Sequence, residues 1–118
     1  MLGKIDRIFG VFLLIGAAGH IMGTLLLLPA MSEIWVWSLG AAIAAALLGV
    51  LNIVRAGRAN DKTIAVITTI GTAIWALLAL TFGASIHNLL DPRALFHFVV
   101  SAVLVVFGFL TIRNAARY

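Results

Sequence analysis

The stretch IFGVFLLIGAAGHIMGTLLLL, residues 8–28, decides the fold of this chain because it carries no charged side chain. An α-helix rises about 1.5 Å per residue, so about 20 residues cross a hydrocarbon core about 30 Å thick. The stretch reaches that length. A charge-free run this long predicts a helix that spans a membrane, which we name span 1.

Three more stretches of the same kind follow at residues 34–54, 63–86 and 94–112, and we name them spans 2, 3 and 4. Apolar residues make up 64% of the chain and charged residues 10%, well below the share of about a quarter in soluble domains. Short connections make neighbouring spans antiparallel. The 118 residues therefore predict a single domain, an all-α polytopic membrane protein folded as an antiparallel four-transmembrane-helix bundle.

The composition and the motifs exclude several classes of function. The net charge of +4 comes from residues at the ends of the spans, so we expect no binding to nucleic acid. The absence of cysteine excludes disulfides, thiolate metal sites and thiol redox chemistry. The sequence shows no phosphate-binding glycine loop, no suitably placed Ser-His-Asp set and no paired carboxylates at one depth. We therefore assign no catalytic residue.

The basic residues predict the orientation, because Lys and Arg collect on the cytoplasmic side of membrane proteins. One side of the predicted bundle carries Arg93 alone. The other side carries seven basic residues, namely Lys4, Arg7, Arg55, Arg58, Lys62, Arg113 and Arg117. We therefore expect both termini in the cytoplasm and the chain in the lipid bilayer of a bacterial inner membrane.

The connections contain residues that end and begin helices. Gly57 is suited to end span 2, and Asn60 or Asp61 to cap the start of span 3. Asp91 followed by Pro92 is a favourable start for span 4, since proline is well tolerated at the first helical position. These residues predict boundaries close to the ends of the apolar stretches.

Small and polar side chains within the spans share helix faces, because residues three and four apart lie on one side of a helix. On span 1 this stripe comprises Phe12, Gly16, Gly19, His20, Gly23 and Leu27. On span 3 it comprises Thr68, Thr72, Ala76, Ala79, Gly83 and His87, and on span 4 His97, Ser101, Leu104, Gly108 and Thr111. Such stripes are typical of close contact between membrane helices.

The chain has three histidines, all in the outer half of the predicted bundle, and they are its main candidates for a chemical function. His20 lies about 12 Å below the outer end of span 1, and His97 lies about 6 Å into span 4. His87 lies near the outer surface. A buried imidazole can be structural, but an ionisable group inside a span indicates function by default. His20 and His97 are the better matched pair, and His87 joins them only if span 3 bends inward.

One interpretation is that these histidines hold a metal or a tetrapyrrole. Imidazole is a ligand for zinc, copper and iron, so His20, His87 and His97 are candidate metal ligands. A helical side chain leans over the residue four before it, so Gly16 leaves room for a flat ring beside His20. This small-x-x-x-His spacing resembles that of haem- and pigment-carrying membrane helices. With haem, the cofactor-binding residues would be His20, His97 and Gly16, and Arg93 would pair with a propionate.

A second interpretation is transport. The stretch His20-Ile-Met-Gly-Thr24, the stretch Ala73-Ile74-Trp75 and the four-span layout resemble the small multidrug resistance transporters. The first stretch falls where that family has the acidic residue that binds proton and substrate. This chain lacks that glutamate, so the resemblance implies that His20 carries the proton. A substrate pathway would then be lined by Gly19, Gly23, Thr72, Trp75 and Ser101.

A third interpretation is a structural subunit of a larger membrane complex. Whichever interpretation holds, four helices rich in glycine and alanine bury little volume between them. The face around Gly40, Ala44 and Ala45 of span 2 is suited to pack against a second copy. We therefore expect a homo-oligomer. Under the first two interpretations it also binds a small-molecule or cofactor ligand.

The orientation is tested by labelling a tag placed at either terminus in intact cells. We expect both tags to be accessible from the cytoplasm alone, because seven of the eight basic residues lie on that side. A terminus exposed outside the cell in most molecules would invert the bundle and place the histidines in its cytoplasmic half.

Overall fold

The computed structural model describes residues 2–116, and this part of the chain folds into four α-helices without a β-strand. The helices are α1 (Leu2–Leu27), α2 (Glu33–Ala56), α3 (Lys62–Ser85) and α4 (Pro92–Ala115). Each is long and apolar enough to cross a membrane. The predicted all-α membrane bundle is confirmed, with α1 and α4 longer than spans 1 and 4. Arg117, counted in the orientation, lies outside the described residues.

Side chains at the helix ends satisfy backbone groups that a helix leaves free. The Asp61 carboxylate accepts a backbone N–H of α3 at 3.0 Å. Asp91 accepts one of α4 at 2.9 Å, and Pro92 follows it as the first helical residue. Ser32 caps α2 in the same way, and Gly57 ends that helix. The predicted roles of Gly57, Asp61 and Asp91 are therefore confirmed.

The helices alternate in direction and form a ring in which α1 packs mainly against α2 and α3 mainly against α4. Contacts of α1 with α4 and of α2 with α3 close the ring. The start of α1, the end of α4 and the α2–α3 loop share one end of the bundle, which we call the terminal end. The α1–α2 and α3–α4 loops share the other, which we call the loop end.

The bundle is apolar on the outside and partly polar inside, as expected of helices that face lipid. Large apolar side chains such as Leu26, Leu77 and Phe109 point outward. Between the helices lies a cluster that we call the apolar layer, formed by Leu13, Ala17, Ala45, Trp75, Val100 and Leu104. It separates polar side chains at the two ends of the bundle.

Two helix pairs approach so closely that glycine is required at the contact. A Cβ at Gly10 of α1 would lie 3.3 Å from the Gly49 carbonyl oxygen of α2, and one at Gly49 would lie 3.1 Å from the Gly10 carbonyl oxygen. A Cβ at Gly108 of α4 would collide with the Thr69 side chain of α3. These contacts fix the axial register within each pair.

A buried ion pair at the terminal end joins α1 to α2. Asp6 is 5% exposed and Arg55 is 0% exposed, and Arg55 Nη2 donates to Asp6 Oδ1 at 2.6 Å. The prediction, implied by the bounds of span 2, that Arg55 lies outside the helix is wrong, because Arg55 lies in the last turn of α2 and turns into the bundle. Since α1 begins at Leu2, Asp6 is a helical residue at the same depth.

Polar side chains of α2, α3 and α4 complete this interaction. Arg55 Nη1 donates to Thr111 Oγ1 at 2.9 Å, and Arg55 Nη2 also donates to Asn52 Oδ1 at 3.1 Å. Asn52 Nδ2 in turn donates to Thr72 Oγ1 at 2.9 Å. All four helices thus contribute to what we call the terminal network, formed by Asp6, Asn52, Arg55, Thr72 and Thr111.

The predicted stripes of spans 3 and 4 are buried apart from their last residues: His87 follows the end of α3, and Thr111 is half-buried. The stripe of span 1 is rotated. The buried residues of α1 are instead Asp6, Gly10, Leu13, Ala17 and Thr24. Gly19 is exposed, and no atom of another helix lies within 4 Å of the position of its Cβ. The rotation follows from Asp6 and Gly10, which must face α2 to meet Arg55 and Gly49.

The face of α2 predicted for self-association is available in part. Gly40 and Ala44 are exposed, but Ala45 is fully buried in the apolar layer. Including Ala45 in an outer contact surface was therefore wrong. The reason is helical geometry, since adjacent residues point about 100° apart.

Breaking the buried ion pair is expected to destabilise the bundle. Asp6→Ala leaves the Arg55 guanidinium buried without its carboxylate, which should lower the free energy of unfolding by about 3–5 kcal/mol. The double variant Asp6→Leu/Arg55→Met should recover much of this loss, because both buried charges are gone. Denaturant unfolding in detergent measures both. Arg58→Met, at an exposed arginine, is the control; an Asp6→Ala loss no larger than that of Arg58→Met would contradict the prediction.

Candidate functional site

His20 of α1 lies in the loop-end half of the bundle and is part of a closed loop of hydrogen bonds. Its Nε2 lies 3.0 Å from Ser38 Oγ of α2, which lies 2.6 Å from Thr24 Oγ1. Thr24 Oγ1 donates to the His20 carbonyl oxygen at 2.9 Å. Because the Thr24 proton is used there, Ser38 donates to Thr24 and accepts from His20. His20 therefore carries its hydrogen on Nε2, and its Nδ1 keeps a lone pair.

His97 of α4 has the opposite pattern. Its Nδ1 lies 3.3 Å from Trp75 Nε1 of α3, and an indole N–H can donate only. Nδ1 of His97 is therefore the acceptor, and in the neutral ring the hydrogen is on Nε2. That nitrogen faces α1, lying 3.2 Å from the position that a Cβ at Gly16 would occupy. His97 and Trp75 are both buried.

The two imidazoles come together although the sequence places them at different depths. Their ring centroids are 6.4 Å apart, with the planes at 88°. The His97 ring also packs edge-on against Phe96. A Cβ at Gly16 would lie 2.8 Å from a carbon of each of the His97 and Phe96 rings. The space predicted for a flat macrocycle over Gly16 is thus occupied by these two side chains.

His87 is not part of this pair. It follows the end of α3, is exposed and has a positive φ of 54°. Within residues 2–116, no three His, Cys, Asp or Glu side chains are close enough together to hold a metal ion. The structure thus brings together His20 and His97 of the predicted histidine set and leaves His87 in the α3–α4 loop.

Arg93, the predicted propionate partner, is paired with a neighbouring carboxylate. Its Nε and Nη2 donate to the two Asp91 oxygens, each at 2.9 Å, and its guanidinium lies over the Phe82 ring. These hydrogen bonds lower the pKa of Asp91 to about 2. The stabilisation from ionised Asp91 is present above its ordinary pKa, near 4, and is lost as the pH falls through about 2. Asp91 therefore stays charged wherever imidazole titrates.

The residues predicted to line a substrate pathway fall into two groups. Thr72, Trp75 and Ser101 are buried inside the bundle. Gly19 and Gly23 lie away from them, with no atom of another helix within 4 Å of either Cβ position. The structure therefore brings the first three together inside the bundle, while Gly19 is exposed on its outer surface.

Four polar partners were not predicted from the sequence: Asp6, Thr24, Ser38 and Asn52. A usable indication was present for two of them. Ser38 and Asn52 are the polar side chains of span 2, apart from its tryptophans, and a polar group inside a membrane needs a partner. Asp6 was taken as part of a loop because span 1 was begun at residue 8.

Comparison of the chain with protein-family models, curated proteins and solved structures gives no match in any of the three. A function must therefore be inferred from the geometry of the side chains. This geometry provides two imidazoles, each able to bind a proton or to ligate a metal. The apolar layer separates them from the charged terminal network.

Gly16→Ala is expected to displace His97, because the added Cβ would lie 2.8 Å from His97 Cε1. Overpacking of this kind should lower the free energy of unfolding by about 1–3 kcal/mol. The ¹⁵N NMR shifts of the His97 ring should also change as its bond to Trp75 is disturbed. Gly19→Ala, in open space three residues on, is the matched control. If both variants changed the free energy of unfolding and the NMR shifts equally little, His97 would not be in close contact with Gly16.

Proposed function

We propose that the protein moves protons across a membrane, alone or coupled to a small solute, with His20 and His97 as the proton-binding groups. One observation supports this above the others: the two imidazole centroids lie 6.4 Å apart between helices of membrane-spanning length. Ionisable side chains inside a membrane are costly and typically mark proton or substrate pathways. Two of them at one place strengthen that inference.

The hydrogen bonds give the two imidazoles different responses to a proton. His20 can accept one on Nδ1 while Nε2 keeps its bond to Ser38. His97 can accept one on Nδ1 only after Trp75 has released that nitrogen. Protonation of His97 therefore couples to a change in the contact between α3 and α4. Such coupling is what a proton-driven transporter requires of its binding site.

The charges near the pair bear on the class of solute. Among the described residues, Asp91 is engaged by Arg93 and Asp6 by Arg55, so neither carboxylate is available to a cation at the histidine pair. Glu33 lies in the first turn of α2, at the loop end of the bundle. A cationic substrate would lack an electrostatic partner. We therefore propose a proton alone, or a proton with a neutral or anionic solute.

A second candidate function is supported by the same two rings. His20 and His97 can supply two ligands to copper, zinc or a haem iron. Two imidazoles leave a zinc site short of protein ligands, and a macrocycle over Gly16 would have to displace Phe96 and His97. The geometry therefore supports proton binding better than cofactor binding.

A location and an assembly are part of the proposal. The basic residues favour a bacterial inner membrane with both termini in the cytoplasm, which places the histidine pair in the outer half. The exposed Gly40 and Ala44 support self-association through α2. The alternative is a structural subunit that conducts no protons, and a proton-flux assay distinguishes the two.

The test uses purified protein in liposomes that contain a pH-sensitive dye, with valinomycin and potassium to clamp the membrane potential. An imposed pH gradient should dissipate faster than in vesicles without protein. His20→Ala and His97→Ala should each reduce that rate to the level of empty vesicles, because the proton loses its binding group. His87→Ala should keep the full rate, since His87 is exposed in a loop.

Two outcomes would contradict proton movement. One is wild-type protein that conducts no faster than empty vesicles both without solute and with a panel of neutral and anionic solutes, and the other is a His87→Ala loss as large as that of His97→Ala. An optical spectrum and metal analysis of the same preparations separate the second candidate. A Soret band, or bound copper or zinc that His20→Ala abolishes, would assign the pair to a cofactor.

A further inference from the structure

Two fully buried hydroxyls have no hydrogen-bond partner among residues 2–116: Ser101 Oγ on α4 and Thr68 Oγ1 on α3. Five other threonines of the bundle donate their hydroxyl hydrogen to the carbonyl oxygen four residues before them, namely Thr24, Thr69, Thr72, Thr81 and Thr111. Ser101 and Thr68 turn away from that carbonyl. A buried hydroxyl without a partner is unfavourable, so each calls for one.

Ser101 lies between the histidine pair and the terminal network. It is one turn from His97 on the buried face of α4, next to Val100 of the apolar layer. The contacts of Gly83 with Ala94 and of Gly108 with Thr69 set the antiparallel register of α3 and α4. Between those contacts, the same register places Ser101 beside Ala76.

The groups on either side of Ser101 are each about one helical turn away. His97 lies about 6 Å toward the loop end, and Thr72 lies about 6 Å beyond Ala76 toward the terminal end. Thr72 is bonded to Asn52, which is bonded to Arg55. Ser101 Oγ bonds to neither group among the described residues, and a separation of about one helical turn in depth is within reach of bridging water.

We propose that Ser101 binds water inside the apolar layer, so that the histidine pair and the terminal network are joined into one proton path. The proposal rests on the proton movement proposed above. It supplies the connection between the histidine pair and the terminal network that such movement needs. Thr68, one turn from Thr72 on the same face of α3, is the corresponding hydroxyl at the terminal network.

The absence of cysteine in the chain allows a direct test of hydration. Ser101→Cys in the full-length protein in liposomes is treated with a small water-soluble methanethiosulfonate, which reacts with a hydrated, ionised thiol. We expect it to react. Leu77→Cys is the matched control, because Leu77 follows Ala76 and its side chain is 63% exposed on the lipid-facing surface at the same depth. It should stay unmodified.

A Leu77→Cys that reacts as fast as Ser101→Cys would overturn the proposal. Ser101 is fully buried and the reagent is larger than water, so a second measurement decides the matter where the cysteine variant does not react or does not fold. If the Ser101 hydroxyl is dry, Ser101→Ala removes an unsatisfied group and should raise the unfolding temperature; that rise would also overturn the proposal. An unchanged or lowered unfolding temperature is the result expected of a hydrated serine.

The flux assay separates this proposal from the proposed function. Ser101→Ala should slow proton flux while leaving the ¹⁵N shifts of His20 and His97 unchanged. A hydrated Ser101 in a protein that conducts no protons would leave the water site standing and refute proton movement. Flux that is lost in His97→Ala but retained in Ser101→Ala would leave proton movement standing and refute the path through Ser101.

Discussion

The buried Asp6–Arg55 pair is the constraint on which the rest of the bundle depends. A guanidinium with no exposed surface, in a protein whose outside faces lipid, must be satisfied within the chain. α1 supplies the carboxylate, α2 the amide of Asn52, and α4 the hydroxyl of Thr111, while α3 binds that amide through Thr72. Such an interaction adds specificity rather than net stability, because an ion pair costs desolvation that apolar packing does not. It requires one rotation and one axial position of each helix.

That register carries through to the other end of the bundle. With Asp6 beside Arg55 and Gly10 against Gly49, the antiparallel pair α1–α2 brings His20 opposite Ser38. The α3–α4 pair is set independently by Gly108 against Thr69. Where the two pairs meet, Gly16 is small enough to receive the His97 ring, and the imidazoles approach. The histidine pair is thus a consequence of glycine contacts and of an ion pair whose Asp6 lies 14 residues before His20 along α1.

The parts of this structure that depend on local chemistry could be predicted, and those that depend on partners could not. The four spans, the Asp61 and Asp91 caps and the end at Gly57 each follow from a short stretch of sequence. The buried faces of α3 and α4 followed from residues three and four apart. The rotation of α1 did not, because it is decided by Arg55 and Gly49 on another helix. Arg55 was misplaced for the same reason, since an arginine at the end of an apolar run normally reaches water.

The separation of the two polar clusters bears on how pH can act on this protein. On the loop-end surface, Asp91 is held in its charged form by Arg93 and does not titrate near neutral pH. An imidazole has an unperturbed pKa of about 6.5, so a response of the bundle between about pH 5 and 8 would come from histidine. His97 is the one whose protonation must release a hydrogen bond between two helices. A proton arriving at that ring therefore acts on the packing of α3 against α4, which also carries Ser101 and Thr72. In the proposed proton path, the binding of the proton and the continuity toward Arg55 would both depend on this helix contact.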